Sequence, residues 1–228
     1  MDRASLDPGL ATLRHMDSCT VANAIETMNL RLRNEGYTDG SIRRQTSSLS
    51  SVVAFAATMR IRSSSPPPDK QPYFEGTDWF DHLLALPQPT ILVVEEVAPT
   101  ALSGAFVGEV HASILAALGC VGVITNGLVR DVTRMDAMGF TAYSSGLTVS
   151  HAYSHIIEYG CTVEVASLKV NPGDLLHGDK HGLVSVPPAV VRKLPAVASM
   201  QEARERKIIN YCESPTFSVA GLRALLAD

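Results

Sequence analysis

The chain reads as a mixed α/β protein with a layered α/β/α arrangement, and three observations carry that reading. Apolar strand-like runs alternate with short helical periods from residue 79 onward. A series of strands separated by tight turns then fills residues 162–187, giving a β-rich C-terminal half. Two helical segments, 188–211 and 217–227, close the chain. Strand–helix–strand units followed by strands and terminal helices imply helices layered on a sheet. At 228 residues and 24.4 kDa, one domain covering residues 1–228 is expected to bury about 70% of its unfolded surface.

The elements follow in order. Asp17 or Ser18 caps a helix over CTVANAIETMNL, which sets Val21, Ile25 and Met28 on one face. SSVVAFAATMRIR is an apolar, partly alternating strand. Two soft stretches flank it, NEGYTDGS from residue 34 and SSSPPPDKQPYFEGTD over 63–78. Pro66, Pro67 and Pro68 exclude a helix or sheet interior there, so 63–78 is a solvated loop or a lid. Its Tyr73-Phe74 pair and the Trp79-Phe80 pair that follows serve as core, interface or lid. WFDHLLALP is a short helix ended by Pro87, and TILVVEEV a buried strand. HASILAALG has helical spacing with Gly119 to end it, and CVGVITN is a strand bounded by Gly127. VTRMDAM is a short helix closed by Gly139, and FTAYSS another strand. TVEVASLKV, LLHGD and LVSVP are strands turned by Pro172-Gly173 and His181-Gly182, and residues 188–228 form a C-terminal helical arm.

Composition narrows what such a fold does. The formal charge is −4, and no basic side chain occurs between Lys70 and Arg130. A mildly acidic chain without a Lys/Arg run offers no phosphate-tracking face, so nucleic acid is not an expected ligand. No apolar run approaches the ~18–20 residues of a membrane span. The opening MDRASLDPGL has acids where a signal peptide carries a basic then an apolar stretch. Cys19, Cys120, Cys161 and Cys212 form no CxxC pair, which favours free thiols over a zinc site or disulfide framework. The cytoplasm is the expected compartment.

The densest chemistry lies in Gly108-Glu109, followed 21 residues after Glu109 by Arg130-Asp131. Glu109 sits where a loop enters a helix, and Arg130-Asp131 lies just past the next strand. Ligands of open α/β sheets bind at those strand ends. The N-terminus of the helix adds free N–H groups and a positive dipole end. An anion receptor beside two carboxylates able to hold a hard cation suits a small keto acid, its carboxylate on the guanidinium and its carbonyl polarised by a metal. A surface turn or a structural ion pair produces the same spacing. His151 and His155 stand at i, i+4, the spacing of a metal pair on a helix, but lack a third ligand nearby. Surface or capping roles are expected for them, and turn roles for His177, His181, Asp174 and Asp179.

GEVHASILAALGCVGVITNGLVRD resembles the signature of the family that contains class II 4-hydroxy-4-methyl-2-oxoglutarate aldolases and the regulator of ribonuclease E activity A. That signature is a carboxylate, twenty intervening residues, then Arg-Asp. CTVANAIE, VAFAATMRI and VNPGDLLHGDKHGLVSVP resemble the family's opening helix, first strand and turn pattern. Residues 31–50 and 63–78 fit it least well. The resemblance implies a swivelling phosphohistidine-domain type of fold, assembled as a homotrimer or homohexamer with sites between subunits. It implies a divalent cofactor, Mg²⁺ or Mn²⁺, bound directly by Asp131 and through water by Glu109. A Glu on the adjacent subunit's C-terminal helix completes the set, Glu205 or, failing it, Glu202. Arg130 would bind the pyruvate moiety, helped by the amides of Val110 and His111; the position of His111 leaves two readings, an imidazole that reaches the substrate or an amide that acts alone. The implied activity is retro-aldol cleavage of a 4-hydroxy-2-oxo acid through an enolate, with oxaloacetate decarboxylation as a shared reaction.

Three positions depart from the family pattern. Arg134 stands where an acid is common, Asn126-Gly127 replaces Asp-Gly, and Glu109 replaces Asp. They leave two alternatives beside the lyase: a non-catalytic regulatory binding protein, and a diverged lyase or isomerase of a specialised pathway.

Overall fold

The computed structural model describes residues 8–47, 50–68, 76–97 and 104–227. In chain order the first elements are helix α1 (Pro8–Leu13), helix α2 (Ser18–Thr27), strand β1 (Arg43–Arg44), strand β2 (Val52–Arg62), helix α3 (Trp79–Leu84) and strand β3 (Thr90–Glu96). Helix α4 (Glu109–Ala117), strands β4 (Cys120–Thr125) and β5 (Leu128–Val129), helix α5 (Val132–Ala137) and strands β6 (Thr141–Ser144) and β7 (Gly146–Leu147) follow. Strands β8 (His155–Tyr159), β9 (Val163–Val165), β10 (Leu168–Val170), β11 (Leu175–Asp179) and β12 (Gly182–Ser185) precede helices α6 (Leu194–Cys212) and α7 (Val219–Ala227).

Eight strands form one mixed sheet in the order β1-β6-β4-β3-β2-β11-β12, with β8 also paired to β2. β2, β3, β4 and β6 run parallel, each joined to the next through α3, α4 or α5. Parallel neighbours need such crossovers, which lay helices on the sheet. Ala57, Met59 and Ile61 of β2, with Leu92 and Val94 of β3, meet Leu83, Ala112, Leu115 and Met135 from the three crossover helices. Val53 shares their parity on β2 and packs with α1, α2 and α6 through Leu13, Ile25 and Leu194. All the helices in these two clusters therefore cover one face of β2.

The other face differs from the expected α/β/α layering. Ala54, Ala56, Ile91, Val93, Ile124 and Leu176 pack there against Val163, Val165, Leu168 and Val170 of the β9–β10 hairpin. No helical residue belongs to that cluster. The alternating Val-x-Val and Leu-x-Val of the hairpin gives it one apolar side, enough to seal the face without a second helical layer.

Local chemistry sets the boundaries. Asp17 caps α2 by accepting the Thr20 N–H at 2.9 Å. The helix expected from residue 188 begins as a 3-10 turn at Pro188–Val190 and becomes α-helical only at Leu194, because Pro195 has no N–H for the Val191 carbonyl and is tolerated only in a first turn. Trp79 is buried, edge-on to Phe80 at 4.5 Å and beside Phe106, which makes this pair a core element. Tyr73 and Phe74 lie outside the described residues. Among the described residues no helix is long and apolar enough to cross a membrane.

One histidine reading is corrected, and the setting of a histidine pair is defined. His151 and His155 share no helix: His155 opens the edge strand β8, paired with Arg62, and His151 lies in the preceding loop. Pairing with β2 selects that strand over the local helical spacing. His177 is not a turn residue but fully buried in β11. Its Nε2 donates to the carbonyls of Leu13 and Met16 at 3.0 and 3.1 Å, closing the end of α1. Burial lowers its pKa and keeps the ring neutral.

Asp174 does form its turn, accepting the Asn171 N–H at 2.8 Å. Asp179 reaches further. Its carboxylate accepts the Ser18 N–H at 2.9 Å, the Ser18 hydroxyl at 2.6 Å and the His181 N–H at 2.8 Å, clasping α2 to the β11–β12 hairpin. Burial pushes its pKa up, but the Ser18 and His181 bonds outweigh it and hold the carboxyl below its ordinary value. The clasp therefore stabilises above the unfolded pKa of 3.8 and is lost as pH falls through the folded value. Asp179→Asn should cost about 1–3 kcal/mol in urea unfolding at pH 7. The gap from wild type should shrink as pH falls below 3.8 and through the lowered folded value; a gap independent of pH would contradict this account.

Candidate functional site

The site assembles where chain segments leave the carboxyl ends of β3 and β4. Ala105 bridges Leu128, and the Arg130 N–H donates to the Val107 carbonyl at 3.3 Å, so the segment entering α4 runs beside β5. Asp131 then takes a left-handed conformation (φ 58°, ψ 29°), which Asp tolerates better than most residues, and turns the chain into α5. That turn aims its carboxylate back at α4. Oδ2 accepts the Glu109 N–H at 3.0 Å and lies 3.3 Å from Arg130 Nε. An acceptor on the first amide of a helix satisfies a donor that the helix cannot, and its charge suits the dipole there.

Gly108 makes this approach sterically feasible. A Cβ at that position would lie 2.6 Å from Asp131 Oδ2 and 2.9 Å from Arg130 Nε. Its backbone is extended, so the requirement is for space and not for an unusual dihedral. The three residues that the spacing singled out, Glu109, Arg130 and Asp131, are thus brought together.

Arg134 joins them. Rather than pointing away, it places Nε 2.9 Å from Glu109 Oε1. Two acids and two guanidiniums give the cluster a formal charge of zero. Both ion pairs are open to solvent, with side-chain exposures of 67% and 42% for Arg134 and Glu109. Such pairs contribute about 0–1 kcal/mol each, so they orient side chains more than they stabilise the fold.

Val110 and His111 occupy the first turn of α4, but their side chains diverge. Val110 is exposed, whereas His111 is buried and stacked on Phe106, with ring centroids 4.8 Å apart. Burial lowers the His111 pKa, opposed by a bond to the Phe106 backbone and aided by the nearby His151 and Arg130. Glu202 and Glu205 stand exposed on α6, which packs against α1, α2 and α7.

Two further residues beside the site gain roles that the sequence reading missed. Asn126 accepts the Glu96 N–H at 2.7 Å and donates to the Glu96 carbonyl at 3.1 Å. An aspartate could not make the second bond, which explains this departure from Asp-Gly. Glu96 ends β3 on the core side, with the parity of Leu92 and Val94, and that alternation was the available signal. Its Oε1 accepts the Ser63 N–H at 3.0 Å, while Oε2 is buried without a hydrogen-bond partner among the described residues. Burial raises its pKa against the opposing Ser63 bonds.

These residues make a mixed α/β domain in which an Arg-Asp turn closes on a carboxylate-bearing helix N-terminus. The chain belongs to the RraA-like, Aldolase/RraA family, whose model matches residues 18–185. A Halalkalibacterium halodurans protein, provisionally named a 4-hydroxy-4-methyl-2-oxoglutarate aldolase, is 27% identical over 109 residues. The match covers 46% of this chain and 52% of that protein, so the chain spans about half the length of the relative it matches. Among solved structures, an uncharacterized Pseudomonas syringae pv. tomato protein superposes with a TM-score of 0.70 at 18% identity, over 95% of this chain and 92% of its own. Streptomyces coelicolor RraAS2, described as an unusual member of the RNase ES inhibitor RraA family, gives 0.65 at 19% identity, over 90% and 96%.

The donors suit a hard cation only in one form. Among the described residues no three or more His, Cys, Asp or Glu side chains gather to hold a metal ion. Asp131 commits Oδ2 to Glu109 and Arg130, while Oδ1 carries no hydrogen bond among the described residues. One carboxylate oxygen fits a largely hydrated Mg²⁺ or Mn²⁺ completed by water and substrate, and does not fit an all-protein cage.

Two outcomes follow. Gly108→Ala should keep the fold but push the Asp131 carboxylate and the Arg130 guanidinium away from the α4 N-terminus. Pyruvate or oxalate binding by calorimetry should weaken at least about tenfold, since lost placement of one charged contact costs about 1.5–3 kcal/mol; unchanged affinity would show that the close approach is dispensable. For Glu96 the raised folded pKa means its contribution is fully present below the unfolded value of 4.5 and is lost as pH rises through the folded value. Glu96→Gln should therefore raise the thermal midpoint at pH 7.5, with the gain shrinking toward pH 4. An equal difference at both pH values would rule that out.

Proposed function

We propose that this protein is a divalent-metal-dependent lyase acting on 2-keto acids, cleaving a 4-hydroxy-2-oxo acid to pyruvate by a retro-aldol step. The observation that carries the reading is the Asp131 carboxylate, held on the Glu109 amide beside Arg130. Arg130 spends only Nε on Asp131, so its terminal NH₂ groups can take the substrate's C1 carboxylate bidentately. The amides of Val110 and His111 face the same anion from the α4 N-terminus. Asp131 would hold Mg²⁺ or Mn²⁺ directly and Glu109 would hold it through water. Bound there, the ion supplies charge neutralisation at the keto oxygen. Glu109 orients the water that takes the 4-hydroxyl proton and returns it to the enolate carbon. Oxaloacetate decarboxylation passes through the same enolate and belongs to the same site.

The assembly expected for this activity is a cytoplasmic homotrimer or homohexamer. α7 carries Val219, Leu222, Leu225 and Leu226 with none of its residues buried, and the neighbouring face of α6 is exposed. Docked on a second copy, this arm would bring Glu205, or Glu202 in its place, toward the other subunit's Asp131. The swivelling phosphohistidine-domain type and a single domain over residues 1–228 are part of the same proposal.

Pyruvate release from 4-hydroxy-2-oxo acids and oxaloacetate, measured with Mn²⁺ present, tests the reading. Asp131→Ala and Arg130→Ala should each lower kcat/KM about 10²–10³-fold, and EDTA should remove the activity reversibly. No pyruvate from any substrate, or full activity in both variants, defeats it. The neutralised charge of the cluster favours one second reading, a regulatory binding protein like the RNase ES inhibitor relative; a diverged lyase or isomerase keeps the same metal and Arg130 roles.

A further inference from the structure

We infer that Arg134 is an internal cation that competes with the divalent ion for the Glu109–Asp131 carboxylates, so that filling the site with metal requires Arg134 to leave Glu109. The inference rests on the reading above, in which those two carboxylates hold the ion. Arg134 Nε lies 2.9 Å from Glu109 Oε1, and the Glu109 backbone N–H donates to Asp131 Oδ2 at 3.0 Å. Glu109 therefore contacts both the guanidinium, through its side chain, and the proposed ligand, through its backbone. With Arg130 on Asp131, each carboxylate already has its own cation before any metal arrives.

Position and exposure make the competition adjustable. The Arg134 N–H donates to the Asp131 carbonyl at 2.9 Å, so its backbone cannot drift from the site. Its side chain is 67% exposed and Glu109 is its one hydrogen-bonded side-chain partner among the described residues. An exposed pair of this kind opens easily. While Arg134 stays, a unit charge faces a dication well inside a Debye length, where repulsion is only partly screened. Charge is the effective property here; the size of the side chain is not.

Mn²⁺ binding to the full chain, followed by calorimetry and by loss of the free-ion electron paramagnetic resonance signal, tests this without any turnover. Arg134→Gln should bind Mn²⁺ at least about tenfold more tightly than wild type, equivalent to about 1.4 kcal/mol. Arg134→Lys, which keeps the charge, should stay within about threefold of wild type. Added salt should narrow the gap between wild type and the Gln variant. Equal affinities in wild type and Arg134→Gln overturn the inference, as does tightening in Arg134→Lys as large as in Gln. No Mn²⁺ binding by any of the three proteins overturns the metal reading itself, and this inference with it.

Discussion

β2 is the strand on which the sheet depends, because it is too long for any one partner. Of its eleven residues, Phe55–Ile61 pair in parallel with β3 along one edge, while the other edge is divided between two antiparallel strands. Val52–Phe55 pair with β11, and Met59–Arg62 pair with β8. Phe55 is thus registered at once against Thr90 and Leu175. A slip of one residue would invert both faces: Ala57, Met59 and Ile61 would leave the helices, and Ala54 and Ala56 would leave the hairpin. Because both faces of β2 are largely buried, such a slip would disturb the packing on both sides of the sheet.

That register also decides where the chemistry stands. Once β3 and β4 lie parallel beside β2, their carboxyl ends come level, and the turns after them meet above the sheet. Glu109 and Asp131, 22 positions apart in sequence, then share a hydrogen bond. Two local features allow it, a left-handed Asp131 and a side-chain-free Gly108. Neither is a strong stabiliser. The scaffold holds them in place, and weak exposed ion pairs suffice to orient side chains whose backbones are already fixed.

Much of this was legible in advance. Every crossover helix and every parallel strand follows from its apolar period, and Asp17, Gly119, Gly139 and Gly173 mark caps and turns where the chain uses them. The Glu109, Arg130 and Asp131 grouping was also readable, since spacing across one helix and one strand converts to a common end of the sheet. β8 was not. HIIEY is short and mostly exposed, and only the vacant upper edge of β2 makes it a strand. The hairpin lid on the second face was equally hidden, because alternation shows that a strand has an apolar side but not what that side will meet.

The sequence by itself determined the periods, the turns, the family and the Glu109, Arg130 and Asp131 grouping, all of which are encoded over a few turns of chain. Tertiary structure alone decided three things: that Arg134 turns onto Glu109, that His177 closes α1 from inside β11, and that one Glu96 oxygen has no partner among the described residues. Each is a question of which distant group fills a vacancy. His177 and Leu13 are 164 residues apart, a separation over which no local pattern constrains a partner. Charge, burial and hydrogen-bond satisfaction are properties of the assembled neighbourhood, so they are fixed only when the sheet has set that neighbourhood.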